Sequence, residues 1–269
     1  MTIGQWLRDA GHSIPGPDAI LEARWMLEDV LSLSWAGIRL RFGDELDDLA
    51  HRQLSAFVEK RYQGTPLQYI LNSADFMGHR FFVDERVLIP RQDTEILCEL
   101  TIERARLGKP DVLDLCTGSG ALGISVALAC PNARISMADI SPDALAVAEK
   151  NAKALGVQAA YYQGDFFDAV KDMRFDIIVC NPPYLTQEDM ENLQTEVKRE
   201  PDMALFGGED GLTFYRRAAA QVRGHVKPGG WALFEVGAGQ AQNIAKLLGE
   251  TSTIHRDLNQ IERVVALHI

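Results

Sequence analysis

Apolar residues in the first 70 positions recur three and four residues apart, a spacing that predicts helices with one buried face. A helix opening at Pro17-Asp18, a second over about residues 44–62 and a short one from Thr65-Pro66 through Ile70 are predicted. Their predicted inward positions are Ile20, Ala23, Leu27, Val30 and Leu31 in the first and Leu46, Leu49, Leu54, Phe57 and Val58 in the second. We expect a helical bundle over residues 1–73, with a docking or structural role.

The pattern changes after residue 73. Short aromatic and β-branched runs around Met77-Gly78-His79 predict a β-hairpin, so that residues 74–90 link the bundle to a second domain over 91–269. In that domain five apolar runs alternate with helical stretches, at 112–115, 135–138, 159–162, 177–180 and 231–236. This alternation predicts an α/β domain with a mostly parallel sheet covered on both faces. Residues 252–269 hold two further strand-like runs whose connection is too short for a crossover helix, so the last of seven strands is predicted to be antiparallel.

Composition places the chain among ordinary globular proteins, with 46% hydrophobic and 24% charged residues. No apolar run approaches the length of about 20 residues needed to cross a bilayer, and Arg8 and Asp9 interrupt any signal peptide. The four cysteines show no metal-like spacing, so we expect reduced thiols in a cytoplasmic protein and no metal. We also expect a monomer. The net charge of −11 argues against direct nucleic-acid binding, which draws most of its affinity from a basic face.

A glycine loop follows the first predicted strand and opens a helix. Its central residues are Cys116, Thr117, Gly118, Ser119 and Gly120. Glycines let the backbone amides approach a ligand, and Asp139 at the next strand end can accept hydrogen bonds from ribose hydroxyls. The same residues satisfy the G-x-G-x-x-G pattern of dinucleotide-binding folds, so the loop by itself leaves three readings open: a nicotinamide dinucleotide, S-adenosyl-L-methionine, or a tight turn without a ligand.

Asp165 and Phe166 follow the third predicted strand. A carboxylate beside a bulky aromatic side chain suits adenine, which offers polar edges and an apolar face. An exposed loop aspartate beside a core phenylalanine would give the same sequence, and both interpretations stay open at this point.

The tetrapeptide Asn181-Pro182-Pro183-Tyr184 follows the fourth predicted strand, where doubly wound sheets bind ligands. Its chemistry suits a planar amide or amino nitrogen, whose delocalised lone pair attacks a methyl group poorly unless it is held in place. The Asn181 oxygen and the Pro182 carbonyl can accept the two N–H groups, and the Tyr184 ring can lie against the planar acceptor. The motif predicts a methyltransferase and leaves adenine, cytosine and glutamine open as acceptors.

Blocks flanking the tetrapeptide resemble the release-factor glutamine methyltransferases, the PrmC or HemK family, over nearly the whole chain. They read GTPLQYI at 64–70, FMG at 76–78, LIPRQDTE at 88–95, ALFGG at 204–208 and DGL at 210–212. The resemblance implies a class I, Rossmann-like methyltransferase fold with S-adenosyl-L-methionine as cofactor and S-adenosyl-L-homocysteine as product. It implies that the substrate is the glutamine of the Gly-Gly-Gln tip of peptide chain release factors, and that the helical domain docks a remote part of that protein.

Site roles follow from the resemblance by matching position. Cofactor binding falls on Cys116, Thr117, Gly118, Ser119, Gly120, Asp139, Asp165, Phe166 and Asn181. The catalytic residues are Asn181, Pro182 and Tyr184, and acceptor binding falls on these three with Pro183, Arg91, Thr94 and Glu95. Cys116 stands where the family usually has glycine, and Gln92-Asp93 replaces a more usual Pro-Glu. Two other acceptors, a ribosomal-protein glutamine and a nucleic-acid base, remain alternatives, as does a non-catalytic binding module.

Overall fold

The computed structural model describes residues 1–106 and 108–269, which form two compact units. The first comprises Met1–Ser73 and Gln194–Arg199, and the second Ala74–Leu193 and Glu200–Ile269. The β-hairpin, which the sequence-based division treated as a linker, lies in the second unit, while Gln194–Arg199 lies in the first. Within the described ranges, no helix has the length and apolar character to cross a membrane.

Five helices build the first unit. They are α1 (Ile3–Ser13), α2 (Ala19–Leu31), α3 (Trp35–Leu40), α4 (Asp48–Tyr62) and α5 (Leu67–Ile70). A capping box between Thr2 and Gln5 starts α1, and the Asp47 carboxylate accepts the Ala50 amide at 2.7 Å to start α4. The core collects side chains from all five helices, among them Trp6, Met26, Leu27, Ile38, Leu54 and Ile70.

Two predicted inward positions of this bundle are wrong. Ile20 is 61% exposed and Leu49 is 69% exposed, because the buried face of each helix begins one residue away. In α2 the face starts at Ala19 and continues through Ala23, and in α4 it starts at Ala50. Neighbouring residues of an α-helix point about 100° apart, so an error of one residue moves a single position off the buried face. The predicted inward residues Ala23, Leu27 and Leu54 are buried.

The segment Gln194–Arg199 is held in the first unit by polar contacts. Arg61, only 6% exposed, pairs with Glu22 at 2.6 Å and with Glu196 at 2.8 Å. Arg199 donates to the Gln63 carbonyl at 2.9 Å. A buried guanidinium retains its charge and needs carboxylate partners, so these contacts fix the segment on the helical unit.

The second unit opens with a β-hairpin of β1 (Ala74–Phe76) and β2 (His79–Phe81). Its two-residue turn, Met77-Gly78, has φ values of 50° and 75°, as a type I′ turn requires. Helices of this unit are α6 (Glu95–Ala105), α7 (Ala121–Ala129), α8 (Pro142–Ala154), α9 (Gln187–Glu191), α10 (Thr213–His225) and α11 (Ala241–Leu248). Its remaining strands are β3 (Asp111–Leu115), β4 (Arg134–Asp139), β5 (Ala159–Gln163), β6 (Phe175–Cys180), β7 (Val226–Glu235), β8 (Ser252–Arg256) and β9 (Glu262–His268).

Strands β3 to β9 form one seven-stranded sheet in the order β5-β4-β3-β6-β7-β9-β8. β9 runs antiparallel to both β7 and β8, and the pairs from β5 to β7 are parallel. The predicted mostly parallel sheet with an antiparallel last strand is therefore confirmed.

Alternate residues of the central strands pack into two cores on opposite faces of the sheet. Val112, Ile177 and Val179 belong to one core, and Leu113 and Ile178 belong to the other. The chain leaves β3 toward β4 on one side, whereas β6 adjoins β3 on the other side, so the strand order reverses there. Such a switch point leaves a crevice beyond the carboxyl ends of the strands, which is the general ligand site of doubly wound sheets.

Candidate active site

A cleft opens beyond the carboxyl ends of β3, β4, β5 and β6, with about 720 Å³ of empty space including its solvent-open part. The strand ends contribute Cys116, Gly118, Asp139, Asp165, Phe166 and Asn181 to its lining. Segments elsewhere in the second unit contribute Val87, Leu88, Pro201, Met203 and Phe214. The cleft therefore combines an apolar wall with a few converging polar groups, the usual character of a small-molecule site.

The loop after β3 turns through three residues with positive φ: Cys116 at 62°, Gly118 at 54° and Gly120 at 80°. A Cβ at Gly120 would lie 3.1 Å from the Ala148 Cβ, so glycine permits the close approach of α7 to α8. A Cβ at Gly118 would meet no protein atom within 4 Å, because this glycine borders the cleft. Cys116 adopts left-handed backbone where the sequence comparison expects glycine, an unfavourable conformation for a non-glycine residue.

Asp114, at 0% exposure, supports the loop from behind. Its Oδ2 accepts hydrogen bonds from the Thr117 hydroxyl at 2.6 Å and from the Gly123 amide at 2.9 Å. Its Oδ1 has no hydrogen-bond partner among the described residues. Burial raises the pKa of Asp114 to about 7, against the lowering effect of these two bonds.

Asp139 ends β4 and faces the loop. Its Oδ2 accepts the Gly118 amide at 2.9 Å, and its Oδ1 accepts the Ser141 amide at 3.0 Å. Burial raises the pKa of Asp139, while the backbone amides oppose the rise. Each carboxylate oxygen retains a free lone pair, so two hydroxyl groups of a ligand can bind to a carboxylate that the backbone already orients.

Asp165 and Phe166 both border the cleft, although their surroundings differ. Asp165 is exposed and pairs with Arg217 at 3.0 Å. Phe166 is 4% exposed and packs edge-on against Phe167 and Phe214, with ring centroids 4.5 Å and 5.7 Å apart. The phenylalanine thus forms part of the core as well as part of the cleft wall.

The tetrapeptide leaves β6 directly into the site. Asn181 and Pro183 line the cleft, Pro182 and Pro183 are buried, and Tyr184 is half-buried. The Asn181 side-chain amide donates from Nδ2 to the Thr94 hydroxyl at 3.3 Å. Because that contact engages the nitrogen, the Oδ1 atom of Asn181 stays available as an acceptor.

Glu235, at the end of β7, is a buried carboxylate that the sequence interpretation missed. It is 1% exposed, and its Oε1 lies 3.4 Å from the Tyr184 hydroxyl that donates to it. Burial raises the pKa of Glu235 to about 7, and hydrogen bonds from Thr94 and Tyr184 oppose the rise. A glutamate within a predicted buried strand was the available signal, since an acid is rarely buried without a partner.

Close packing against the Tyr184 backbone explains the glycines at positions 207 and 211. A Cβ at Gly207 would lie 2.7 Å from the Tyr184 Cα, and one at Gly211 would lie 2.3 Å from the Tyr184 carbonyl oxygen. Gln240 donates to that same oxygen at 3.0 Å and accepts the Gly237 amide at 3.0 Å. The backbone of the tetrapeptide is therefore fixed from two sides.

Arg91, Thr94 and Glu95, which the family resemblance assigned to acceptor binding, lie outside the cleft lining. Arg91 pairs with Glu200, which is 4% exposed and also accepts the Ile89 amide at 3.0 Å. Glu95 accepts the Met77 amide at 2.8 Å and so holds the turn of the hairpin. Thr94 accepts a hydrogen bond from Asn181 of the tetrapeptide.

Five other predicted site residues do not line the cleft. Thr117, Ser119, Gly120, Pro182 and Tyr184 are absent from its lining, and Thr117 and Gly120 shape the turn as described above. Asp93, the shortened acid of the Gln92-Asp93 departure, pairs with Arg263 of β9 at 2.6 Å. The shorter side chain therefore still reaches a partner within the domain.

Comparison with known families gives two matches. The methyltransferase small domain matches residues 92–205, and the PrmC N-terminal domain matches residues 5–71. Among curated proteins, the release factor glutamine methyltransferase of Bordetella pertussis is 41% identical over 91% of this chain and 93% of its own length. That of Geobacter sulfurreducens is 38% identical over 92% of this chain and 89% of its own length.

Solved structures of low identity share the fold. A methyltransferase from Pyrococcus furiosus superposes with a TM-score of 0.55 at 15% identity, covering 72% of this chain and 90% of its own. The 16S rRNA N2 G1207 methyltransferase of T. thermophilus, solved with AdoMet and guanosine, superposes with a TM-score of 0.52 at 20% identity, covering 73% of this chain and 49% of its own. The predicted class I fold is confirmed.

Proposed function

The chain belongs to the release factor glutamine methyltransferase family, and we propose that it methylates the side-chain amide nitrogen of the glutamine in the Gly-Gly-Gln motif of peptide chain release factors. The methyl donor is S-adenosyl-L-methionine, and S-adenosyl-L-homocysteine is the product. The observation that carries this proposal is the tetrapeptide 181–184 at the switch point of the sheet, beside the glycine loop and Asp139. The enzyme acts as a cytoplasmic monomer on a protein substrate, without direct nucleic-acid binding.

The residues around the cleft fit the cofactor. Asp139 offers two oriented carboxylate oxygens to the ribose hydroxyls, and Gly118 leaves room in the cleft that a side chain would fill. Phe166 would supply an apolar wall for the adenine, and Asp165, which lines the same cleft, would accept hydrogen bonds from its amino group. Cys116 and Asn181 border the same space, while Thr117, Ser119 and Gly120 hold the loop in shape. When bound, the cofactor supplies an electrophilic methyl group on a sulfonium.

The tetrapeptide acts on the acceptor by position and electrostatics. The Asn181 Oδ1 and the Pro182 carbonyl accept the two N–H groups of the glutamine amide, which holds its nitrogen in line and favours a more pyramidal geometry. Pro182 and Pro183 have no backbone N–H to compete for these acceptors, and their rings keep the chain stiff. The Tyr184 ring packs on the planar amide, and its backbone is fixed by Gln240.

The methylated nitrogen becomes acidic after transfer, so the chemistry needs no strong general base before the methyl group moves. Arg91, Thr94 and Glu95 support the acceptor side, Thr94 through Asn181 and the other two by holding the segment 88–95 and the hairpin. The helical unit docks a part of the release factor remote from the glutamine. Docking at a second surface raises the effective concentration of the glutamine at the cleft.

One assay separates this proposal from its alternatives. The protein is incubated with S-adenosyl-L-methionine labelled in the methyl group and, in parallel, with release factor, ribosomal protein, RNA and DNA. We expect label on the release factor alone, on the Gly-Gly-Gln glutamine after peptide mapping. Label in nucleic acid and none in release factor would refute the proposal, and label in a ribosomal protein would move the acceptor to that protein.

A further inference from the structure

Four side chains from three segments, Asn181 and Tyr184 of the tetrapeptide, Thr94 and Glu235, form a hydrogen-bonded network beneath the acceptor site. Asn181 Nδ2 donates to the Thr94 hydroxyl at 3.3 Å. The Thr94 hydroxyl in turn faces the Glu235 carboxylate, and its hydrogen bond lowers the pKa of that carboxyl against the effect of burial. The Tyr184 hydroxyl donates to the same carboxylate at 3.4 Å. Thr94 is 5% exposed and Glu235 is 1% exposed, so water does not replace these partners.

The donor-to-acceptor direction of these hydrogen bonds decides which atom of Asn181 faces the acceptor. A threonine hydroxyl has one hydrogen, and its oxygen accepts from other groups. When that hydrogen is given to Glu235, the oxygen can only accept from Asn181, so the amide must present Nδ2 to Thr94. The Oδ1 atom then points the opposite way, where an incoming N–H group can reach it.

An ionised carboxylate is the group that enforces this direction, because it accepts hydrogen bonds and donates none. A protonated acid or an amide at the same position would donate to Thr94. The threonine hydrogen would then be free to point at Asn181, and the asparagine amide could turn its nitrogen toward the acceptor. Two donors would face each other, and the glutamine amide would lose its alignment.

We propose that Glu235 is a positioning residue that acts through Thr94 to hold the Asn181 oxygen toward the acceptor amide. This inference rests on the proposed function in taking Asn181 as the acceptor-binding group. Glu235 does not line the cleft, and its hydrogen-bond partner in the tetrapeptide is Tyr184.

The charged and titratable groups around Glu235 come from several elements. Arg263 of β9 lowers the pKa of Glu235, and Asp93 before α6 raises it. Tyr184 donates to it, and the buried Tyr215 of α10 donates to its backbone carbonyl at 2.7 Å. With a pKa of about 7, Glu235 changes its charge within the neutral range. The hydrogen bonds from Asn181 to Thr94 and from Thr94 to Glu235 therefore have the required direction only at a pH above that pKa.

The test uses Glu235→Gln, Thr94→Val, the double variant and Thr94→Ser, assayed on whichever acceptor the wild-type protein labels. We expect Glu235→Gln and Thr94→Val each to lower kcat by about 100-fold, the size of losing one preorganised hydrogen bond at the reacting group. The kcat of the double variant should equal that of the less active single variant, because both substitutions interrupt the same series of hydrogen bonds. Thr94→Ser keeps the hydroxyl and should stay within about 5-fold of wild type.

Three further readouts separate positioning from general damage. The cofactor Kd should stay within about 3-fold in every variant, since none of these side chains lines the cleft wall around the cofactor. The wild-type kcat should rise with pH through about 7, and Glu235→Gln should lack that step. As a control, Asp257→Asn alters another carboxylate paired with Arg263, at 3.2 Å, and should keep kcat within about 2-fold.

Additive losses in the double variant would overturn the inference, as would a Glu235→Gln enzyme with the wild-type kcat and pH profile. A collapse of cofactor affinity together with kcat would overturn it too, because that pattern indicates a structural role. An acceptor other than the release factor would refute the proposed function alone, since the variants are compared on the acceptor that is actually labelled.

Discussion

The Asp139 carboxylate accepts the Gly118 amide at 2.9 Å, and this bond ties the end of β4 to the glycine loop that follows β3. The acid therefore orders the loop as well as presenting oxygens to the cleft. Asp139→Asn places an NH₂ group against one of two backbone donors. We expect the Kd for S-adenosyl-L-methionine to rise by about 10- to 100-fold, measured by calorimetry, since hydrogen bonds to charged groups contribute about 1.5–3 kcal/mol.

Asp165→Asn gives the corresponding measurement for the proposed adenine contact. Asp165 is exposed and pairs with Arg217, so its loss should change the same Kd by less than about 5-fold. Equal effects of the two substitutions would contradict the assignment of the ribose site to Asp139.

Asn181→Ala tests the acceptor side of the site. The variant should lose at least about 100-fold in kcat because the acceptor amide loses an oriented oxygen. Its Kd for S-adenosyl-L-methionine should stay within a few-fold of wild type. Single-turnover methylation and calorimetry measure the two quantities separately, and a collapse of cofactor binding would place the main role of Asn181 elsewhere.

The buried Asp114 predicts a pH-dependent stability. Its pKa of about 7 in the folded state lies above the ordinary value of 3.8, so the folded protein binds the proton more tightly than the unfolded chain does. The stabilising contribution is complete below about pH 4, decreases as the pH rises to about 7 and is absent above it. The whole decrease amounts to about 4 kcal/mol.

Asp114→Asn removes that titration and retains an acceptor for Thr117 and Gly123. We expect urea unfolding between pH 5.5 and 8.5 to show that the free energy of unfolding of the variant increases relative to that of the wild type as the pH rises. Stability curves that stay parallel over this range would show that Asp114 does not titrate there.

The buried ion pairs of Arg61 are expected to contribute to the stability of the helical unit. Arg61→Met leaves Glu22 and Glu196 without their cation, and we expect a loss of at least about 2 kcal/mol in the free energy of unfolding. Adding Glu22→Gln and Glu196→Gln should recover most of it, because the unpaired charges are then removed. Arg24→Met, which breaks the more exposed pair with Glu28, should cost less than about 0.5 kcal/mol.

The sheet was predictable because its signal is local and repeated. The run at 177–180 is apolar throughout and that at 112–115 is interrupted only by Asp114, as expected of buried parallel strands, and the connection at 259–262 is too short for a crossover. The helical bundle was less so. Helices α1 and α3 were not identified individually, and one inward position in each of α2 and α4 was misassigned by one residue, because small residues such as Ala19 and Ala50 mark the buried faces weakly.

Some features of the site could likewise be predicted from the sequence, and others could not. Asp139 and Asn181 follow strands directly, so their convergence at one sheet edge follows from the alternating pattern. The link from Asn181 through Thr94 to Glu235 joins residues 94, 181 and 235, whose proximity depends on the strand order. Likewise, the commitment of Glu95 to the Met77 amide depends on how the hairpin turns.

The placement of Gln194–Arg199 has a consequence for engineering and for evolution by domain exchange. The chain passes between the two units three times, after Ser73, after Leu193 and after Arg199. Deleting residues 1–73 would remove Arg61 and Gln63, to which Glu196 and Arg199 are bonded. The helical unit is thus not an appendage that one cut can remove, and a chimaera that replaces it must bring a matching six-residue insert into the other unit.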